Sequence, residues 1–264
     1  MIKLGKVELY IREKIKREGA ILSVIIDPCD YSTPEEGIDA AQIAASSGAD
    51  LIAVGGSVGA QGKLLDEVLK KIKEKVKLPI VLFPGNIATI SPFADAIYFM
   101  SLLNSRNPYW ISEAQTLSAP LIKQLKIEPL PMGYILVEPG GTASWVGDAN
   151  LVPRNKPKIA AALALAGQFS GKRIIFTDAG SAAFAPIPTE MVAAVKKTIE
   201  IPYLVGGGIR TPEQAGKIVK AGADWIQIGT AVEKTKDVKR LISQFVKEIK
   251  QKGRLKSTQD EIHK

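Results

Sequence analysis

One cysteine, Cys29, and one histidine, His263, are all this chain carries of the two residue types most used for disulfides, zinc and proton shuttling. No disulfide can form within the chain, and no cysteine-histidine zinc site can be assembled from it. His263 lies in a polar C-terminal tail, 253–264, which reads as frayed, so acid–base chemistry falls to carboxylates, lysine or tyrosine. Long apolar runs are missing as well. The longest near-continuous one, 159–167, falls far short of the roughly 20 residues that a membrane-spanning helix needs. The N-terminus is charged rather than signal-like, and the expectation is a soluble cytoplasmic protein. Basic-aromatic alternation and nucleic-acid motifs are absent, which argues against a nucleic-acid partner.

What is present is a 264-residue chain with 46% hydrophobic residues, enough for a full core. Its net charge of +8 comes from 35 basic and 27 acidic residues, spread mainly over helical stretches. Such a surface is solvated and lysine-rich; it also suits attraction of phosphorylated substrates or peripheral contact with anionic lipid.

Eight short apolar runs are bounded by Gly, Pro or Asp: 21–27, 51–55, 80–83, 96–101, 133–138, 173–178, 203–206 and 225–229. They are apolar throughout rather than alternating, as strands covered on both faces of a parallel sheet require. Helical periodicity fills most of the gaps, at 34–47, 64–76, 112–125, 156–169, 189–199 and 212–221. The βαβα rhythm predicts an α/β fold, a single (β/α)₈ barrel over 1–264. Ser47-Gly48-Ala49-Asp50 and Ala221-Gly222-Ala223-Asp224 are matching helix-to-strand returns, as a repeated unit would give. Residues 84–95 are too few and too rich in Gly, Pro and β-branched types for a crossover helix, so the third helix is expected to be a loop or single turn. An extra helix at 4–16, within an N-terminal segment 1–18, is expected to cover the closed end of the barrel.

Polar and glycine positions gather at the C-terminal ends of these strands, the face on which barrel enzymes work. Val205-Gly206-Gly207-Gly208 and Ile228-Gly229-Thr230 end the seventh and eighth strands just before helices begin. Backbone without side chains approaches an anion closely, and a helix N-terminus adds positive partial charge, so the pair reads as a phosphate seat. Asp27 ends an apolar strand, where its charge asks for a cation or for donors; ordering the Asp27-Pro28 turn is the alternative. Ser57, after Gly55-Gly56, adds a hydroxyl or caps a helix. One carboxylate, one hydroxyl and several waters suit magnesium, which binds through few protein groups plus substrate phosphates. Asp178, in Phe176-Thr177-Asp178-Ala179-Gly180-Ser181, is placed to hold substrate hydroxyls or accept a proton, with Gly180-Ser181 adding phosphate donors; helix capping competes. Glu138, before Pro139-Gly140-Gly141-Thr142, is a second strand-end acid, and turn formation competes there too. Tyr109, Trp110 and Trp145 beside a polar mouth suggest an apolar ligand next to a charged one, although core packing can absorb any one of them.

Taken together, Asp27, the run 101–110 (Ser-Leu-Leu-Asn-Ser-Arg-Asn-Pro-Tyr-Trp), Val137-Glu138-Pro139-Gly140-Gly141-Thr142, Asp178-Ala179-Gly180-Ser181 and both glycine motifs resemble the geranylgeranylglyceryl phosphate synthases, archaeal prenyltransferases. The likeness spans about 21–232. It implies a modified (β/α)₈ barrel lacking a regular third helix. The implied reaction joins the geranylgeranyl group of geranylgeranyl diphosphate to the C3 hydroxyl of sn-glycerol 1-phosphate, the first ether bond of archaeal membrane lipids. It further implies Mg²⁺ on Asp27 and Ser57, and glycerol 1-phosphate held by Phe176, Thr177, Asp178, Ala179, Gly180, Ser181, Ala182, Gly206, Gly207, Gly208, Gly229 and Thr230. A dimer or hexamer is implied as well. Members usually carry tyrosine and glutamate where this chain has Phe176 and Asp178, and related bacterial enzymes use a heptaprenyl donor. Asp178, then Glu138, are the candidates for orienting or deprotonating the hydroxyl, and Tyr98 and Trp110 for limiting the tail. Two other classes fit a late-strand phosphate seat: a flavin-mononucleotide oxidoreductase and a non-catalytic phospho-isoprenoid binder.

Overall fold

The computed structural model describes residues 4–262. Eight parallel strands close into a barrel in sequence order: β1 (Ile21–Ile26), β2 (Leu51–Val54), β3 (Ile80–Leu82), β4 (Ala96–Leu102), β5 (Glu128–Leu136), β6 (Ile174–Asp178), β7 (Tyr203–Gly206) and β8 (Trp225–Ile228), with β8 paired back to β1. The helices are α1 (Lys6–Glu18), α2 (Pro34–Ser46), α3 (Gly62–Lys75), α4 (Ala114–Leu125), α5 (Gly141–Val146), α6 (Pro157–Phe169), α7 (Thr189–Thr198), α8 (Pro212–Lys220), α9 (Thr230–Glu233) and α10 (Val238–Ile262). The expected barrel is therefore present, and 83–95, between β3 and β4, holds no helix.

Alternate residues of each strand split between two cores, as a period of two demands. Leu22, Val24, Ile52, Val54, Ile226 and Ile228 face outward and pack with helical residues such as Ile38, Leu69, Ile218 and Phe245. Ile21, Leu51, Val81, Leu130, Ile174, Leu204 and Trp225 face inward and fill the barrel. Phe83, Tyr98, Tyr134, Phe176 and Trp225 meet ring to ring, with centroids 5.0–6.0 Å apart. This aromatic layer closes the interior below the C-terminal mouth.

At the opposite end α1 acts as a lid. The Val7 and Glu8 amides each donate to the Glu128 carboxylate at 2.8 Å, and buried Glu8 accepts from Arg12 and Arg173 at 2.9 and 2.8 Å. One device recurs round this rim. Asp50, Asp95 and Asp224, each just ahead of a strand, accept from the Leu22, Ile80 and Tyr203 amides of the preceding strand and pair with Lys14, Lys73 and Lys196. The matched returns read in the sequence thus share a function, and part of the basic excess is tied down by it.

Two expectations needed correction. The fifth strand starts at Glu128, five residues earlier than its apolar run, across Pro129 and Pro131. Both prolines precede Met132, the first β5 residue paired with β6, and the Glu128 amide turns toward β4. By strand alternation, the N–H groups that the prolines lack would point to the side where β6 has not yet begun. The tail read as frayed is helical through Ile262, as the end of α10, while His263 lies outside the described residues.

Candidate active site

A cavity of about 710 Å³ opens at the C-terminal mouth. It has two branches. The polar branch lies over β6, β7, β8 and β1, bounded by Asp178, Ser181, Gly207, Gly208, Gly229, Thr230 and Asp27. The second crosses β3 to the outer face of β4, where a regular third helix would lie, and is lined by Ile90, Ile97, Phe99, Ser118 and Ile122. Its far wall is α4, entered through a π-helical turn, Tyr109–Glu113.

The floor of the polar branch is built from interlocking glycine turns. Gly207 and Gly208 adopt φ of +78° and +68°, and a Cβ on Gly207 would collide with Asp178 Oδ1 and the Gly180 amide. A Cβ on Gly208 would strike the Ala185 carbonyl, and one on Gly180 the backbone of Gly140. Only glycine permits three loops to approach this closely. Arg210 and Arg154 then fasten the 182–186 segment through the carbonyls of Phe184 and Pro186, at 2.9 and 2.6 Å. Among the described residues the amides of Ser181, Gly207 and Gly208 have no acceptor. Three unspent donors around one concavity, with α8 and α9 starting just beyond, suit a phosphate group.

Asp178 is buried under this seat. Its Oδ2 accepts from the Tyr134 hydroxyl at 2.7 Å and its Oδ1 from the Gly180 amide at 2.7 Å. Burial raises its carboxyl above the ordinary range against both bonds, and burial and Asp178 raise the Tyr134 phenol. Tyr134 stands directly beside Phe176 in register, its ring centroid 5.0 Å away. A phenol is thus present on the strand next to Phe176, its hydroxyl bonded to Asp178.

The structure separates the sequence candidates. Phe176, Asp178, Ser181, Ala182, Gly206, Gly207, Gly208, Gly229, Thr230, Asp27 and Ser57 all border the cavity. Thr177 faces outward, 2.8 Å from the Tyr203 hydroxyl, and Ala179 is buried with its amide on the Gly206 carbonyl. The Gly180 amide is spent on Asp178 rather than left for phosphate. Glu138 is corrected: it is exposed, lies outside the cavity lining, and accepts from the Arg154 amide at 3.3 Å. Two residues past the end of β5, its side chain has left the barrel rim. Trp110 lines the cavity, whereas Trp145 is 86% exposed. Tyr98 points into the barrel interior; its neighbours Ile97 and Phe99 face the apolar branch instead.

At the β1 side, Asp27 is half-buried and among the described residues has no cationic partner, Oδ1 accepting only from the Cys29 amide at 3.0 Å. Burial lifts its carboxyl to about 6, with Asp30 adding to the rise. Glu233, which the sequence reading missed, shares the cavity wall, and burial together with Asp30 and Asp27 pushes it up to about 7. Gly56 lies so close to Asp27 that a Cβ would overlap Oδ2, which brings the Gly56-Ser57 backbone onto the carboxylate. Among the described residues no three His, Cys, Asp or Glu side chains converge as a metal cage. An uncompensated carboxylate, an adjacent hydroxyl and surplus negative charge fit a divalent ion that keeps waters and shares substrate phosphates.

The raised Glu233 value has a consequence for stability. Between its ordinary 4.5 and about 7 the folded state holds a proton that the unfolded chain has released, so stability falls as pH rises through that window. Glu233→Gln is expected to raise Tm of chelator-treated protein at about pH 8 and leave it unchanged near pH 4, the two limits of that linkage. Thermal melts at both values check it.

A closed parallel barrel with an amide seat at the ends of its late strands defines the phosphate-binding (β/α)₈ enzymes. Within that class the chain belongs to the PcrB family, whose model matches residues 13–249. It is 55% identical over 240 residues to the geranylgeranylglyceryl phosphate synthase of Thermococcus kodakarensis, covering 91% of this chain and 94% of that one. It is 56% identical over 232 residues to the enzyme of that name from Pyrococcus furiosus, covering 88% and 92%. Among solved structures it resembles (S)-3-O-geranylgeranylglyceryl phosphate synthase from Thermoplasma acidophilum in complex with its substrate sn-glycerol-1-phosphate, with a TM-score of 0.89 at 38% identity, covering 94% of this chain and all of that one. Thiamine phosphate pyrophosphorylase from Pyrococcus furiosus, at 13% identity and a TM-score of 0.58, shares the fold alone.

Proposed function

We propose that this protein joins the geranylgeranyl group of geranylgeranyl diphosphate to the C3 hydroxyl of sn-glycerol 1-phosphate, forming the first ether bond of an archaeal membrane lipid. The observation that carries the reading is the shape of the cavity: a phosphate seat and a long apolar branch meet in one space, with Asp27 at their junction. A flavin enzyme does not call for that combination, and a non-catalytic phospho-isoprenoid binder would keep the seat and the apolar branch but have no need of Asp27. The names of the relatives at 55% and 56% identity agree with it.

In this reading the Ser181, Gly207 and Gly208 amides hold the phosphate of glycerol phosphate, and the glycerol reaches inward over Asp178. The prenyl tail lies along Ile90, Ile97, Phe99 and Ile122, which places its allylic carbon near the polar branch. The hydroxyl oxygen forms a bond to that carbon as the carbon–diphosphate bond breaks. Asp178 takes the hydroxyl proton: desolvation makes its carboxylate a better base, while Tyr134 fixes its orientation. Asp27 and Ser57 would hold magnesium, which supplies positive charge against the departing diphosphate. Placing both reactants accounts for much of the rate, since the chemistry needs oxygen and carbon aligned and water kept out.

The proposal includes assembly into a dimer or hexamer and peripheral contact with lipid, for which exposed Leu117, Leu121 and Phe184 supply apolar surface. Among the described residues no helix is long and apolar enough to cross a membrane. The test incubates the protein with magnesium, labelled sn-glycerol 1-phosphate and prenyl diphosphates of several lengths, followed by extraction into organic solvent. Label should enter the organic phase with the geranylgeranyl donor. Its absence with every donor would reject the reaction, and preference for a longer donor would reassign the tail.

A further inference from the structure

Gln227 is the polar exception in β8, whose other residues are Trp225, Ile226 and Ile228. It is only 4% exposed, points inward and borders the cavity two residues below Gly229. Its side-chain oxygen accepts from the Tyr98 hydroxyl at 2.9 Å and from the Ser23 hydroxyl at 3.2 Å. Three strands, β1, β4 and β8, thus meet on one amide oxygen.

The direction of that amide is set by its neighbours. The Trp225 indole N–H, which can only donate, gives its proton to Ser23 Oγ at 2.8 Å. Ser23 therefore spends a lone pair on the indole, and its own proton has Gln227 Oε1 at 3.2 Å and the Ile226 carbonyl at 3.4 Å as acceptors. Tyr98 is wholly buried, and burial pushes its phenol well above the usual range, so it keeps a proton that needs an acceptor. A reversed amide would set that proton against an NH₂ group. The oxygen must face the network, and the nitrogen must face the other way. That nitrogen has no protein partner among the described residues, and it is not one of the buried unpaired atoms sealed within the core. What lies open to it is the polar branch of the cavity.

We propose that Gln227 is a specificity-determining residue whose side-chain N–H groups donate to a hydroxyl of the glycerol moiety beneath the phosphate seat. This rests on the glycerol phosphate reading of the polar branch. A three-carbon chain hanging from a phosphate at Gly207 and Gly208 runs inward toward the barrel axis, and Gln227 is the inward residue under the β8 end of that seat. A hydroxyl held there donates to Asp178 and accepts from Gln227, so both its hydrogen-bonding roles are filled. An apolar residue at 227 would leave one of them unmet.

Calorimetry with the full chain separates this role from a structural one, with sn-glycerol 1-phosphate and inorganic phosphate as the two probes. Gln227→Glu keeps the acceptor for Ser23 and Tyr98 but removes the donor, and should weaken glycerol phosphate about tenfold, the scale of one lost hydrogen bond plus an unfavourable charge. Gln227→Met removes the donor without adding charge, and with it the acceptor for Ser23 and Tyr98, and should weaken glycerol phosphate about fivefold while leaving inorganic phosphate within about twofold. In turnover the KM for glycerol phosphate should rise and that for the prenyl donor stay put. Melting curves identify any variant that has failed to fold, and the other then decides. Equal losses for both probes in Gln227→Met, or no loss for either, would overturn the assignment. Wild-type protein that binds glycerol phosphate but transfers no prenyl group would reject the proposed reaction and leave this assignment intact.

Discussion

Asp27→Asn is expected to lower kcat for prenyl transfer by about a thousandfold, on the scale of the several kcal/mol that a bound metal ion contributes to stabilising transition-state charge. The substitution preserves shape and the bond from the Cys29 amide, so it removes little besides negative charge. Without cation, wild-type Asp27 is disfavoured as an anion, since burial and Asp30 both oppose its charge. A divalent ion relieves that cost by binding, and the asparagine variant has no such cost to relieve. The variant should accordingly be no less stable in chelator, and magnesium should raise the Tm of the wild type but not that of the variant. Its affinity for sn-glycerol 1-phosphate should remain near the wild-type value, because the seat lies on the late strands. Transfer rates, melts with and without magnesium, and calorimetry check the three parts, and unchanged turnover would remove Asp27 from the chemistry.

Gly207→Ala should cost about a hundredfold in affinity for sn-glycerol 1-phosphate, equivalent to about 2.7 kcal/mol. At φ +78° an alanine is strained, and its methyl group would meet Asp178 Oδ1 and the amides of Ala179 and Gly180. Those atoms are backbone or held by backbone, so the seat itself has to shift. Strain alone costs about 1–3 kcal/mol of stability. Gly62→Ala provides the comparison: Gly62 also has positive φ, at +61°, but nothing lies within 4 Å of an added Cβ. It should lower Tm and leave binding untouched. Equal effects of the two substitutions on affinity would mean that the glycine turns do not form the anion site.

The barrel was legible because its strands are apolar on both faces and its helices announce their starts with Thr33-Pro34 and Thr211-Pro212. The glycine turns were legible as a pair: one alone has many uses, but two that end the seventh and eighth strands just before helices read together as a phosphate seat. Side-chain direction was harder to read. Tyr98 and Phe99 are both aromatic, so pattern alone does not say which faces the interior. Glu138 and Asp178 both sit at strand ends, yet Asp178 is the last residue of β6 and points inward, whereas Glu138 has already turned outward with its loop. Glu233 follows the eighth strand in a four-residue helix that its local sequence does not announce. Gln227 did leave a mark, a lone amide in an apolar strand, and the question of what could satisfy it in a packed barrel would have found it.

The break in the helical wall between β3 and β4 also separates two demands on one enzyme. A ligand entering by the mouth meets amides and charges whose positions are fixed by interlocked turns. A hydrocarbon lying across the outside of β4 meets mostly apolar walls, with α4 on the far side. Residues along that outer trough can therefore change, and the reach of the tail with them, while the atoms that make and break bonds stay where the barrel puts them.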